Sequence, residues 1–116
     1  MGAISVTEAT QELVREIARV VARESDPDAI ILFGSHATGT AGPESDIDIL
    51  VIKAQPFGPG NDRRQEMTRL WRALARFPVP KDILVFSRQE VERWQNSRNH
   101  VIAKALREGI VVYGEL

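Results

Sequence analysis

The chain has 116 residues, of which 43% are hydrophobic and 27% are charged, a composition typical of one globular domain with its own core. Its net charge of −1 argues against a strong field that would draw the whole molecule to nucleic acid or to a membrane surface. With no cysteine and two histidines, the sequence excludes a disulfide framework, a cysteine-based zinc site and a histidine-rich metal site.

The first predicted element is an amphipathic helix near the N-terminus. Ser5 and Glu8 have the spacing of a capping box, which favours Ser5 as the cap. Apolar residues then recur near the helical period until about residues 23–24. Pro27 and its flanking aspartates end the helix and lead into the first strand.

Two strands joined by a glycine-rich turn follow. Residues 29–33 form a short apolar run, which is typical of a buried strand. Gly34 ends this strand, and Ser35 opens a short helical turn within a segment rich in glycine and threonine. A second strand is predicted from Asp46 to about Ile52.

Asp46 and Asp48 are the most informative pair of this region. Because side chains two residues apart in a strand share a face, the two carboxylates should project side by side. Such neighbouring negative charges repel each other unless a cation or hydrogen-bond donors compensate. Magnesium binds carboxylate oxygens and keeps positions open for substrate phosphates, so the pair predicts a magnesium site.

The turn before this pair offers groups that bind an anion. Gly34 lets a phosphate approach the backbone, the N–H groups after it attract negative charge, and Ser35 adds a hydroxyl donor. Ser45 is expected to cap the turn or to orient Asp46. Metal-binding carboxylates beside a phosphate-binding turn predict a site for a nucleoside triphosphate.

A proline- and glycine-rich loop over residues 54–61 leads into the next helix. Asn61 or Asp62 can cap this helix, and its apolar stripe continues to about Phe77. Several arginines make the helix locally basic. They fit either a solvated face or a contact for an acidic partner or RNA.

The remaining predicted elements are a third strand, a helix broken in its middle and a fourth strand. They span residues 81–86, residues 87–107 with the break near 96–99, and residues 110–113. Ser87 and Glu90 form a second capping box, and Gly109 ends the helix. Together the elements predict an α/β (α+β) fold, in which a small mixed sheet of about four strands has helices packed mainly on one face.

The glycine-rich turn and the acidic pair carry a family resemblance. Gly34-Ser35, Gly39 and Ser45-Asp46-Ile47-Asp48 resemble the GS-x(3)-G-x(5)-SDxD signature of minimal nucleotidyltransferases, or MNT domains, of the polymerase-beta-like superfamily. The resemblance covers nearly the whole chain and implies a nucleotidyltransferase fold with a single MNT domain over residues 1–116. His36 departs from the family, which commonly has arginine there, so a phosphate contact by this side chain is not implied.

The resemblance also implies the composition of the site. In the family a third acidic residue lies on the strand beside the paired carboxylates, and Asp82 matches that position. This implies that Asp46, Asp48 and Asp82 are catalytic and bind Mg²⁺, as a two-ion site, with ATP as the substrate. In such a site Asp82 can also accept the proton of the attacking hydroxyl. The expected nucleotide-binding residues are Gly34, Ser35 and Ser45.

The acceptor implied by the resemblance is a partner protein. MNT domains commonly pair with a HEPN-domain toxin, so the resemblance implies an antitoxin that transfers AMP to a tyrosine hydroxyl of that toxin. Two alternatives remain open: a non-catalytic module that neutralises its partner by docking, and a stand-alone small-molecule nucleotidyltransferase.

We expect a cytoplasmic protein without direct contact with membrane or nucleic acid. No apolar run approaches the ~20 residues that span a bilayer, and the N-terminus lacks the pattern of a signal peptide. Lys53 and Arg88 flank predicted strand ends and are weighed as further nucleotide contacts. His100 is interpreted as a helix residue without chemistry.

Overall fold

A computed structural model describes residues 8–42 and 44–116, although not the side chains of residues 8 and 9. Within these ranges the chain forms five helices and four strands: α1 (Glu8–Ser25), β1 (Ala29–Phe33), α2 (Ser35–Thr38), β2 (Ile47–Lys53), α3 (Arg63–Ala73), β3 (Lys81–Ser87), α4 (Arg88–Trp94), α5 (Val101–Glu108) and β4 (Ile110–Gly114). The predicted order of elements is confirmed. The side chains of the predicted first capping box, Ser5 and Glu8, lie outside the described residues. Among the described helices, none combines the length and apolar character needed to cross a membrane.

The four strands form one mixed sheet in the order β3-β2-β1-β4. β1 pairs antiparallel with both β2 and β4, whereas β2 and β3 run parallel. Parallel neighbours cannot be joined by a tight turn, and here the crossover between them contains α3. The mixed sheet of four strands confirms the predicted fold class.

The distribution of the helices differs in one respect from the prediction. The longer helices α1 and α3 bury one face of the sheet, through residues such as Ile17 and Leu70. α4 and α5 cover the other face as well, through Val91 and Ile102. The reason lies in β1, whose five residues are all buried, because a strand that is apolar on both faces needs a hydrophobic layer on each side.

The ends of α3 follow from local chemistry. Of the two predicted caps, Asn61 and Asp62, the structure shows Asp62, whose carboxylate accepts the Arg64 N–H at 2.9 Å. The helix ends at Ala73 and not near the predicted Phe77. After Leu74 the backbone tightens, because Ala75 and Phe77 donate to the carbonyls three residues before them, Arg72 and Leu74, in place of the helical partners four residues before.

The predicted break in the C-terminal helix is confirmed. Ser87 and Glu90 form both hydrogen bonds of the capping box that begins α4. α5 begins after His100, whose Nδ1 accepts the Ile102 N–H at 3.1 Å. The His100 ring also stacks on Trp94, with 4.7 Å between the ring centroids. His100 therefore has a structural role as the cap of α5.

A buried polar network fastens α1, β2 and α3 where β2 ends. The Glu66 carboxylate accepts hydrogen bonds from the Ser25 hydroxyl and the Arg69 guanidinium, and the Lys53 ammonium lies 3.6 Å from it. Burial alone would raise the pKa of Glu66, but these donors and positive charges outweigh it and hold the pKa below its usual value. The ionised carboxylate therefore stabilises the fold.

Glu66→Gln is expected to lower the free energy of unfolding by about 2 kcal/mol at neutral pH, because Lys53 and Arg69 lose a buried counter-charge. The folded-state pKa is depressed, so the contribution of the ionised group is fully present above the unfolded-state pKa, about 4.3. It is lost as the pH falls through the folded-state value. Denaturant unfolding of both proteins at neutral pH and at about pH 3 measures the difference.

Glu12→Gln is the matched control, because Glu12 pairs with Arg15 on the exposed surface of α1. An exposed pair of this kind contributes less than about 1 kcal/mol. Equal losses of stability in the two variants would contradict the role assigned to Glu66.

Candidate active site

The predicted acidic residues meet at one edge of the sheet, where β1 ends and β2 and β3 begin. Asp48 lies opposite Phe33 of β1 and opposite Asp82 of β3 in the strand register. Paired residues of neighbouring strands share a face, so Asp48 and Asp82 are lateral neighbours. Asp46 lies just before β2, which begins at Ile47 and not at the predicted Asp46.

The surroundings of Asp48 disfavour its ionised form. The pKa of Asp48 is raised, first by burial and then by the negative charges of Asp82 and Asp46. Positive charge at His36 and Lys104 opposes the shift without cancelling it. The three carboxylates are therefore close enough to repel one another, and a bound cation would relieve that repulsion.

The donor set at this edge fits a divalent cation. Carboxylate oxygens are ligands that magnesium prefers. Three such groups are close here, because Asp82 is paired with Asp48 across the strands and Asp46 lies two residues before Asp48. Within residues 8–42 and 44–116, no three His, Cys, Asp or Glu side chains converge as a finished metal site. Asp46 and Asp82 are exposed, so a change of rotamer is sterically open to both. Binding of a cation would require such a turn towards Asp48.

The glycine-rich turn lies directly against Asp48. Gly34 has a φ of 75°, and a Cβ at this position would lie 2.2 Å from Oδ2 of Asp48. A side chain here would strain the backbone and collide with the carboxylate. Ser35 follows as the first residue of α2, and its hydroxyl makes no hydrogen bond to the described residues. The predicted phosphate-binding pair is thus adjacent to the predicted metal ligands.

Ser45 closes the loop that leads to the acidic pair. Its hydroxyl accepts the Gly42 N–H at 2.8 Å, and its own N–H donates to the Gly42 carbonyl at 3.2 Å. These contacts match the expectation that Ser45 caps the turn. Direct contact between Ser45 and a nucleotide stays a prediction.

Two basic residues weighed as nucleotide contacts lie at the opposite end of the sheet. Lys53 is the last residue of β2 and bonds to the Ser25 carbonyl beside Glu66. Arg88 pairs with Asp28 at 3.2 Å. The expectation that both residues lie near the site was wrong, because they flank the ends of β2 and β3 that are remote from Asp46 and Asp82.

Lys104 is a candidate site residue that the sequence does not reveal. α5 packs through Ile102 and Ala105 on the face of the sheet that carries Asp48. The ammonium group of Lys104 is exposed, makes no ion pair with the described residues and lowers the pKa of Asp48. No motif links α5 to the glycine-rich turn, since only the sheet topology brings them together.

Comparison with known proteins agrees with this geometry. The family model described as "Polymerase beta, Nucleotidyltransferase" matches residues 15–115. The chain therefore belongs to the polymerase beta nucleotidyltransferase family. No curated protein sequence matches the chain.

Solved structures share the fold. One, described as a minimal nucleotidyltransferase, is 29% identical, with a TM-score of 0.57 over 88% of this chain and 92% of its own. A toxin–antitoxin complex with AMP-PNP is 24% identical, with a TM-score of 0.54 over 87% of this chain and 73% of its own. A chain from the structure of a tri-AMPylated Shewanella oneidensis HEPN toxin in complex with MNT antitoxin is 20% identical. Its TM-score is 0.51, and the match covers 90% of this chain and 73% of its own. The resemblance to MNT domains is confirmed.

Asp48→Asn is expected to raise the melting temperature of the metal-free protein at neutral pH by about 2–4 °C, the effect of roughly 0.5–1 kcal/mol in a domain of this size. The folded-state pKa of Asp48 is raised, so its ionisation costs stability as the pH rises through that value, and the neutral amide removes the cost. Thermal unfolding followed by circular dichroism measures the change.

Magnesium or manganese should stabilise the wild-type protein and leave Asp48→Asn nearly unchanged, because a bound ion stabilises only the state that binds it. Glu44→Gln is the control for general charge removal, since Glu44 is an exposed carboxylate close in sequence to the site. If neither ion changes the melting temperature of the wild-type protein, the proposal that these carboxylates bind a metal is contradicted.

Proposed function

We propose that this protein is a nucleotidyltransferase that uses ATP and Mg²⁺ to transfer AMP to a hydroxyl, that of a tyrosine, on a partner HEPN toxin, and that it thereby acts as an antitoxin. The observation that carries the proposal is the register of β2 and β3, which sets Asp48 beside Asp82 and next to the backbone of Gly34. Two carboxylates and the glycine-rich turn therefore lie together at one sheet edge.

Each residue of this edge has a role in the proposal. Asp46 and Asp48 hold the magnesium ions together with Asp82, and the turn at Gly34 and Ser35 binds the phosphates. When bound, magnesium neutralises the triphosphate and lowers the pKa of the attacking hydroxyl. Asp82, which is more exposed than its strand partner Asp48, accepts the proton of that hydroxyl.

The bond changes are those of a nucleotidyl transfer. The acceptor oxygen forms a bond to the α-phosphorus of ATP, and the bond from that phosphorus to the bridging oxygen breaks. Pyrophosphate leaves with the electron pair, and the proton of the hydroxyl passes to Asp82. The positive charge of Lys104, exposed above the same face, favours the negative charge that collects around the phosphates.

The protein acceptor is supported by similarity and by family membership. Similar structures include a HEPN toxin carrying three AMP groups in complex with its MNT antitoxin, and a toxin–antitoxin complex with AMP-PNP. Those likenesses concern the fold, and the acceptor of this chain is inferred from them.

A docking module is the second candidate, and one observation favours it. As the side chains stand, no three potential ligands among the described residues converge on one point. An antitoxin that neutralises its partner by binding alone would not need such convergence. Under this alternative the acidic cluster would be a remnant with no bound ion.

Co-expression with a HEPN-domain protein encoded beside the gene tests the proposal. Intact-mass spectrometry of that protein should show one or more added adenylyl groups in the presence of the wild-type chain. Asp46→Asn with Asp48→Asn should reduce the rate of modification by roughly 10³-fold or more, because several kcal/mol of charge stabilisation are lost.

The matched control replaces two exposed carboxylates away from the cluster, Glu44→Gln with Glu92→Gln, and should retain the full rate. Circular dichroism establishes that both double variants are folded. An inhibited partner without added mass would refute transfer and support the docking module. Modification of an aminoglycoside in place of the protein would support the stand-alone enzyme.

A further inference from the structure

His36 lies between the glycine-rich turn and the loop that presents the first metal ligand. It is the second residue of α2, and its Nε2 lies 3.2 Å from the carbonyl oxygen of Ser45. A carbonyl oxygen only accepts hydrogen bonds, so Nε2 carries the proton and donates it. The other ring nitrogen, Nδ1, is buried and finds no hydrogen-bond partner among the described residues.

The Ser45 carbonyl is one half of the peptide bond that leads into Asp46. On the other side of Asp46, the N–H of Ile47 donates to the Pro80 carbonyl at 3.0 Å. Asp46 itself precedes the first residue of β2 and is exposed, so sheet pairing does not fix its own backbone. Two hydrogen bonds therefore flank Asp46 directly, one from His36 to the carbonyl of Ser45 and one from Ile47 to Pro80, the residue just before β3.

The ring is not available to a phosphate in this arrangement. Nε2 is engaged with Ser45, and Nδ1 is enclosed by protein. The hydrogen bond from Nε2 to the Ser45 carbonyl is the contact through which the ring can act on its neighbours.

We propose that His36 is a positioning residue that holds Asp46 in place for the metal by fixing the Ser45 carbonyl, and that it does not contact the nucleotide. The inference rests on the metal site of the proposed function. It assigns to His36 a role different from that of an arginine at the same position, whose guanidinium would reach outward to phosphate. The hydrogen bond ties α2, which touches Asp48 through Gly34, to the loop before Asp46.

The test compares His36→Ala with His36→Gln, because the glutamine amide can donate to the Ser45 carbonyl and alanine cannot. Manganese binding, measured without turnover by electron paramagnetic resonance, should weaken about tenfold in His36→Ala and stay within about threefold of wild type in His36→Gln. In the transfer assay, His36→Ala should require more Mg²⁺ for half-maximal rate and lower kcat. The KM for ATP at saturating Mg²⁺ should stay nearly unchanged.

Two results would overturn the proposal. Unchanged manganese binding in His36→Ala would show that the hydrogen bond does not position a ligand. A raised KM for ATP with unchanged manganese binding would show that the ring contacts phosphate. If His36→Ala fails to fold, nitrogen-15 NMR of the wild-type imidazole decides, since the proposal requires the Nε2-protonated form and a Nδ1-protonated ring refutes it.

The same measurements separate this proposal from the proposed function. A wild-type protein that binds manganese but transfers no AMP contradicts the reaction and leaves the role of His36 open to the same comparison of variants. A wild-type protein that binds no manganese contradicts the metal site, and with it the role assigned to His36.

Discussion

The contact between the Gly34 backbone and the Asp48 carboxylate is the constraint on which the rest of the site depends. There is no space for a Cβ between them, so the turn and the strand meet as closely as a polypeptide allows. The contact contributes to the burial of Asp48, and burial is the largest reason that its pKa is raised. Anything that moved Gly34 away would give Asp48 more water and lessen its need for a counter-ion.

Two carboxylates of this fold show how environment alone decides the behaviour of a charge. Glu66 is surrounded by the Ser25 hydroxyl, Arg69 and Lys53, and its pKa is lowered. Asp48 is partly buried and is repelled by the carboxylates of Asp82 and Asp46, and its pKa is raised. Ionisation of the first group contributes stability and ionisation of the second reduces it, and perturbed pKa values of the second kind are common at functional sites. Asp48 lies near the start of β2, whereas Glu66 of α3 contacts Lys53 at the end of the same strand.

The sequence predicted those features that depend on local patterns. The bounds of β1, the Asp62 cap, the Ser87–Glu90 capping box and the break before α5 follow from short-range signals, and all are confirmed. The proximity of Asp82 to Asp48 came from the family resemblance and not from any local pattern.

The predictions that failed, and the features that were missed, depend on tertiary structure. Lys53 and Arg88 were expected near the site, because a sequence does not say which end of a strand lies beside the ligand. In the structure β2 begins at the site and ends with Lys53 at the opposite edge of the sheet. Lys104 was missed because α5 reaches the site only by packing over the sheet. The hydrogen bond from His36 to Ser45 was also missed, since it depends on the path of the loop between them.

The parallel pairing of β2 with β3 has a consequence for how the site comes into being. Parallel strands need a long crossover, and here the segment containing α3 must be in place before Asp82 can reach Asp48. Pairing between strands so far apart along the chain must overcome the entropy of closing a long loop. A nascent or partly unfolded chain therefore presents the turn and the first two acids without the third. The cluster of three acids is therefore complete only in the fully folded chain.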